Sequence, residues 1–546
     1  MKNLQPEVPA QMLEEKVEKV PDRTVVTFEY GAFGEEILTY RELFERASRV
    51  AAWLRERGVE KGDRVALFLR NYPEFLYAML GSNMLGAVWV ALDPRLIGES
   101  LAYPLRDSQS KVVFTTADLL PAIKEAEGFR GEIVYAVKPG MSDLSEEDRK
   151  GLEKRGSLTS FSEILDRPFL PVEQQGLPDE PAQIMYTSGT TGNPKGVLWR
   201  NRRLDVLVDL LWHYGPDDIL YTGLSLSHAN AHTVTLIPSL YREIPSVFSV
   251  RFTASRIWDI CRKYGCTTFS CLGGMIAMIY ARPERPDDAD HPVRVVVSAG
   301  TPAAIWEPFE KRFKVKILEW YGALDGGCVT VKPVGVGPVG SMGRPLDFFT
   351  IRIVDEEGND VPVGQPGELI SRPVIGEPKV EYFGKEKESR EKTLAGWHRS
   401  GDIVRRDEEG WLYFCHRKGE ELRKYGEFIQ PSLIEKVFCE HPEVREICVY
   451  GVPSRGGAPG ESDVVAAVAT HAETTPDVKA WVSWCRNRLP QSHQPDYFQW
   501  VAEIPKTLSQ RPLTRLLKAD FLAHKGKIYD RRGERWLSFS EGEKGP

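Results

Sequence analysis

Three short runs of this chain are almost wholly apolar: Arg64-Val65-Ala66-Leu67-Phe68-Leu69, Ala87-Val88-Trp89-Val90-Ala91-Leu92 and Lys111-Val112-Val113-Phe114-Thr115. A strand with one wet face alternates apolar and polar residues, so runs without alternation belong in a parallel sheet covered on both faces. The segments around them supply the cover. From Tyr40 to Arg57, apolar residues recur at Leu43, Ala47, Val50, Ala51 and Leu54, which predicts an amphipathic helix ended by Gly58. A second helix is expected from Pro73 to Leu85. The same βαβ texture returns between residues 200 and 330, where Val295-Val296-Val297-Ser298 and Lys316-Ile317-Leu318-Glu319-Trp320 flank a helix from Trp306 to Phe313.

From about residue 345 to about 415 the pattern changes to short strands and turns, such as Thr350 to Val354 and Gly367 to Ile370, a small β-rich subdomain. Past Arg417-Lys418-Gly419-Glu420 comes a compact α+β unit. It holds helices from Pro431 to Cys439 and Asp477 to Arg488, and strands from Glu446 to Tyr450 and Val464 to Ala469. Gly419 sits at the junction, where a backbone without Cβ can swivel. A chain of 546 residues is too long for a single core, so division into domains is required.

Composition narrows the function. A net charge of -7 with no long basic run argues against nucleic-acid binding. No window holds the roughly 18 apolar residues that a spanning helix needs. The opening Met1-Lys2-Asn3-Leu4-Gln5-Pro6-Glu7 has no apolar signal core, so a cytoplasmic location is expected. The eight cysteines stand singly in apolar runs, as reduced core thiols do, not as metal ligands.

The chemistry is concentrated in Thr187-Ser188-Gly189-Thr190-Thr191-Gly192-Asn193-Pro194-Lys195-Gly196, which follows the strand-like Gln183-Ile184-Met185-Tyr186. Free backbone N–H groups, several hydroxyls and one ammonium at a strand end suit the phosphates of a nucleotide. The spacing differs from the loop in which Gly-Lys-Ser/Thr opens a helix, because Lys195 stands between proline and glycine.

With this loop, the ordered motifs resemble the adenylate-forming superfamily of acyl-CoA synthetases, peptide-adenylation domains and luciferases. The likeness runs from Leu38-Thr39-Tyr40-Arg41-Glu42-Leu43 to Ile504-Pro505-Lys506-Thr507. The stretch from Asp290-His291-Pro292-Val293-Arg294 to Phe313 is most similar to the carnitine-CoA ligase and fatty-acid-transport-protein branch. The resemblance implies an α/β fold with a large N-terminal domain, residues 1–418, of two αβα lobes plus a small β-barrel. It also implies a mobile α+β C-terminal lid, residues 419–546, swinging about Gly419. The implied cofactors are ATP/AMP, coenzyme A and Mg²⁺, and the implied partner is a carboxylic acid or its acyl-adenylate. Relatives of this kind often form homodimers.

Carried over residue by residue, Thr187, Ser188, Gly189, Thr190, Thr191 and Lys195 would hold the β- and γ-phosphates. Ser298-Ala299-Gly300-Thr301-Pro302 matches the adenine strip, and Tyr321, in Trp320-Tyr321-Gly322, would stack on the base. Asp402 would accept from the ribose hydroxyls and Arg417 would donate to them. Tyr425-Gly426-Glu427 would line the pantetheine tunnel. His228 matches a position beside the reacting carboxylate, either as a gate over that tunnel or as a core histidine. Leu272-Gly273-Gly274-Met275 and Gly326-Gly327 would line the acyl site, where paired glycines leave room for a bulky or long apolar acid.

Three departures fall on adenylate formation. Leu324 replaces a threonine whose hydroxyl would bond the α-phosphate, and Asp325, in place of a glutamate, would keep the carboxylate for Mg²⁺ but draw it back by one methylene. In Pro505-Lys506-Thr507-Leu508-Ser509-Gln510-Arg511, arginine stands where the family has its catalytic lysine. Either Arg511 does that lysine's work, Lys506 or Lys518 substitutes, or the first half-reaction is impaired. The readings are therefore a full CoA ligase, an enzyme that only thioesterifies a preformed acyl-adenylate, a nucleotide- or acyl-adenylate-binding protein without turnover, and transfer to a carrier-protein thiol.

Overall fold

The computed structural model describes residues 8–538 apart from 155, 188–192, 202–207, 419–421, 425–426, 430, 456–461, 472–475, 487 and 508–511. Among these residues the first lobe is a seven-stranded sheet. Its order is Leu158–Ser160, Glu132–Ala136, Val112–Thr116, Arg64–Leu67, Val88–Ala91, Pro181–Tyr186 and Gly196–Arg200, parallel except for the last pair. The apolar runs are covered on both faces, as expected. Val65 and Leu67 join one core cluster while Ala66 and Phe68 join another behind the sheet.

The second lobe is a nine-stranded sheet with a parallel centre, running from Arg344–Pro345 at one edge to Glu35–Thr39 at the other. Lys316–Ala323, Val295–Ala299 and Thr268–Leu272 are adjacent within it. Helices Tyr40–Glu56 and Pro73–Met84 contribute to the core shared by both lobes. The first begins with a reciprocal Thr39–Glu42 capping box. The second is buried along its whole length, so its sequence is apolar all round. Close crossing of the two explains Gly81, where a Cβ would lie 2.8 Å from the Ala47 carbonyl oxygen.

The β-rich subdomain is an antiparallel sheet of Phe349–Val354, Gly367–Pro373, His398–Arg406 and Leu412–Arg417. Among the described residues its outer strands do not pair with each other; instead it packs on strand Gly326–Lys332. The C-terminal unit is a five-stranded sheet from Val444–Pro453 to Arg535–Ser538, with a core on each face. Inside it, Lys424 and Asp496 form a buried ion pair at 2.9 Å. The expected division at Gly419 lies outside the described residues. No helix among the described residues is long and apolar enough to cross a membrane.

Candidate active site

One cleft of about 3040 Å³ separates the two lobes from the C-terminal unit. Small-molecule pockets are typically about 300–1,000 Å³, so this space admits more than one substrate. At the end of the hairpin Pro181–Tyr186 and Gly196–Arg200, Thr187, Asn193, Pro194 and Lys195 line the cleft. Thr187 N–H donates to the Lys195 carbonyl at 3.0 Å and closes the loop's base. Lys195 then projects its ammonium over the Tyr382 ring, 5.1 Å from the centroid. Ser188, Gly189, Thr190 and Thr191 lie outside the described residues, as do Gly419, Tyr425, Gly426 and Arg511, and the side chain of Glu427.

The strip from Ser298 to Pro302 leaves strand Val295–Ala299 through Gly300, whose φ of +83° calls for glycine. Ala299, Gly300, Thr301 and Pro302 face the cleft; Ser298 is buried behind them, accepting from Thr301 Oγ1 at 2.7 Å. The sequence reading missed the group that holds this strip. Glu319, buried on the neighbouring strand, accepts from the N–H groups of Gly300 and Thr301, the latter at 3.2 Å. Burial pushes its carboxyl up to about 7, against the pull of those donors and of Lys332.

A carboxyl whose folded value lies above its unfolded 4.5 stabilises the fold fully below that value, and the contribution is lost as pH climbs through about 7. Glu319→Gln is therefore expected to gain on the wild type by up to about 3 kcal/mol across that interval. Urea midpoints of both proteins, taken at matched pH values, measure it. A constant difference would show that Glu319 does not titrate there.

Trp320, Tyr321, Gly322 and Leu324 line the cleft. Tyr321 donates to Asp402 Oδ2 at 2.5 Å, and Arg417 Nε lies 2.7 Å from Asp402 Oδ1. Asp402 is fully buried, whereas Tyr321 and Arg417 reach the cleft, so the carboxylate braces two residues that line it. Leu324 packs with Val197, Val380 and Tyr382, making an apolar spot where the resemblance implied a hydroxyl. Asp325 accepts from the Tyr382 hydroxyl at 2.7 Å and pairs with Lys392 at 3.0 Å. Burial pushes its carboxyl up, but Lys392 and Tyr382 outweigh this and hold it below the usual range.

His228 stands in the cleft wall, its Nδ1 accepting from Asn230 N–H at 3.2 Å. His232 does not share its surroundings. It stacks on Trp89 with centroids 5.2 Å apart, and burial pushes it down to about 4, so it is a neutral core histidine. Leu272, Gly273 and Gly274 line the same wall, extended by Ala277, Tyr280 and Ala281, while Met275 turns into the core. The glycines are a partial correction to the sequence reading. A Cβ on Gly273 would lie 1.8 Å from the Gly300 carbonyl oxygen, and one on Gly327 would lie 2.6 Å from His398 Nδ1. Those two positions admit close packing, not substrate. At Gly326 only the Lys379 carbonyl oxygen lies near, at 3.8 Å.

The C-terminal unit faces the cleft with Lys506, Thr507, Pro512 and Lys518. Lys506 is tied to Glu446 at 2.7 Å. Neither Tyr382, Lys392 nor His398 was legible as part of the site, since each lies far along the chain from Asp325.

Residues 13–374 match the family model of AMP-binding enzymes, and residues 433–511 match that of the AMP-binding enzyme C-terminal domain. A crotonobetaine/carnitine–CoA ligase of Salmonella paratyphi A is 26% identical over 516 residues, covering 93% of this chain and 98% of its own. An anthranilate CoA ligase in complex with anthranoyl-AMP has the same fold, with TM-score 0.80, 22% identity and coverage of 95% and 98% of the two chains. O-succinylbenzoate coenzyme A synthetase from Bacillus subtilis, in complex with ATP and magnesium ion, gives TM-score 0.74, 23% identity and coverage of 93% and 99%.

Proposed function

Since the chain belongs to the family of AMP-binding enzymes, we propose that it is an AMP-forming acid–thiol ligase acting on an apolar carboxylic acid. One carboxylate oxygen attacks the α-phosphorus of ATP, pyrophosphate leaves, and an acyl-adenylate remains. The thiolate of coenzyme A then attacks the acyl carbonyl, and AMP leaves as the thioester forms.

The observation that carries this reading is convergence on one cleft. The phosphate-loop lysine, the strip held by Glu319, the Tyr321–Arg417 pair, and Lys506 and Lys518 of the C-terminal unit all border it. Both steps move a negative charge toward phosphate oxygens, which fixed donors stabilise more than water does. Lys195 stands at the base of the phosphate loop to meet the β- and γ-phosphates. Mg²⁺ bound with ATP would supply further neutralisation of the phosphate charge. Leu272, Ala277, Tyr280 and Ala281 offer the acid a largely apolar wall beside His228. The relative from Salmonella and both structural neighbours are named for CoA thioester formation, which supports coenzyme A as the acceptor.

The test is a panel of apolar acids offered with ATP and coenzyme A, products weighed by mass spectrometry. Thioester and AMP in equal amounts are expected. A protein that binds AMP yet forms no thioester from any acid or acyl-adenylate refutes ligase turnover. A second reading, thioesterification of a preformed acyl-adenylate only, is favoured by Leu324 and Arg511 at positions that serve the first step.

A further inference from the structure

Asp325 is the carboxylate from which a divalent ion would be expected to hang, yet the protein already surrounds it. Its Oδ2 takes the Tyr382 hydroxyl at 2.7 Å and the Lys392 ammonium at 3.0 Å, and His398 Nε2 lies 3.9 Å from Oδ1. Lys392 is anchored from behind by the Ser400 carbonyl at 3.2 Å. The Lys392 and Asp325 side chains are only 19% and 14% exposed, so solvent does not screen the contact as it does a surface pair. The His398 ring fits beside them because residue 327 has no Cβ.

Mg²⁺ demands a near-octahedral shell of oxygens at about 2.0–2.1 Å. An ammonium fixed on Oδ2 repels such an ion and, with the Tyr382 hydroxyl, occupies that oxygen, leaving Oδ1 alone to face it. Among the described residues no group of three or more His, Cys, Asp or Glu side chains offers a replacement site. The residues around Asp325 therefore do not fit a tightly held metal while Lys392 stays in place.

We infer that Lys392 is a built-in counter-ion of Asp325, withdrawing that carboxylate from metal ligation and setting a fixed ammonium, linked through Tyr382 to Lys195, beside the phosphates of the nucleotide. The inference rests on the nucleotide-binding reading above. Any Mg²⁺ would then have to be held by the nucleotide and not by Asp325, with Lys392 as a positioning residue for that carboxylate.

Metal affinity, not turnover, decides the matter. MnCl₂ is titrated into full-length protein saturated with AMP, and free Mn²⁺ is followed by electron paramagnetic resonance. Lys392→Met should bind Mn²⁺ about tenfold or more tighter than wild type, the loss of one charge-assisted contact having freed the carboxylate. Lys392→Arg should behave as wild type, and adding Asp325→Asn to Lys392→Met should abolish the gain. Asp325→Asn alone, which does not depend on the folding of the lysine variant, should shift Mn²⁺ affinity less than twofold. Equal affinity in wild type and Lys392→Met, or a large loss in Asp325→Asn alone, overturns the inference. A wild type that leaves AMP unbound in the same experiment overturns the nucleotide reading, and this one with it.

Discussion

Exchanging Arg511 for lysine is expected to raise ATP–pyrophosphate exchange with a cognate acid by about a hundredfold. The first step needs a compact cation that touches the attacking carboxylate and the α-phosphate at once. A lysine ammonium is a point charge on a flexible stem, whereas a guanidinium is a broad planar fork that is best satisfied by one anion in bidentate fashion. Among the described residues, other candidates for this work are few. Lys506 spends its ammonium on Glu446, 2.7 Å away. Leu324 offers no hydroxyl and packs against Val197 and Val380. Lys518 does line the cleft, so Lys518→Ala is the control. Exchange measured with labelled pyrophosphate reads all three proteins. Rapid exchange in the wild type that lysine at 511 fails to improve would show that arginine does the work unaided. Collapse of exchange in Lys518→Ala would assign the work to Lys518.

Asp402→Ala is expected to weaken AMP binding by about two orders of magnitude and to destabilise the protein by about 3 kcal/mol. Asp402 is fully buried and pairs across the sheet with Arg417, which approaches to 2.7 Å, while Tyr321 donates to it at 2.5 Å. Removing the carboxylate leaves a guanidinium without its anion and a phenol without its acceptor, which costs more than the contacts themselves contributed. Both orphaned groups border the cleft, so the damage reaches the ligand. Tyr321→Phe removes one hydroxyl and keeps the ring, and should cost about 1 kcal/mol. Titration calorimetry with AMP and urea unfolding separate the two effects. AMP affinity in Asp402→Ala within threefold of wild type would exclude this trio from nucleotide recognition.

The chain's layered architecture was legible because burial on both faces leaves a mark on every residue of a strand. Val65 and Ala66 are both apolar since one faces each core, and the helix Pro73–Met84 is apolar all round since it is buried along its whole length. Local sequence likewise marked Lys195, the strip at Gly300, Tyr321 and Arg417, which line one cleft, but not the contacts of Tyr321 and Arg417 with the buried Asp402. The acyl-site glycines were read less well. Whether a missing Cβ leaves a void or admits a neighbour depends on what packs there, and at Gly273 and Gly327 a carbonyl and an imidazole fill the place.

What sequence alone determined, then, is the fold and the short-range motifs, since periodicity and turn chemistry act over a few residues. Tertiary structure alone decided the charge environment of the site: Glu319 under the strip from Ser298 to Pro302, and Lys392, Tyr382 and His398 around Asp325. Coulombic and hydrogen-bonding partners are chosen by distance in space. A lysine dozens of residues from its carboxylate carries no sign, in its own neighbourhood, of the charge it will meet.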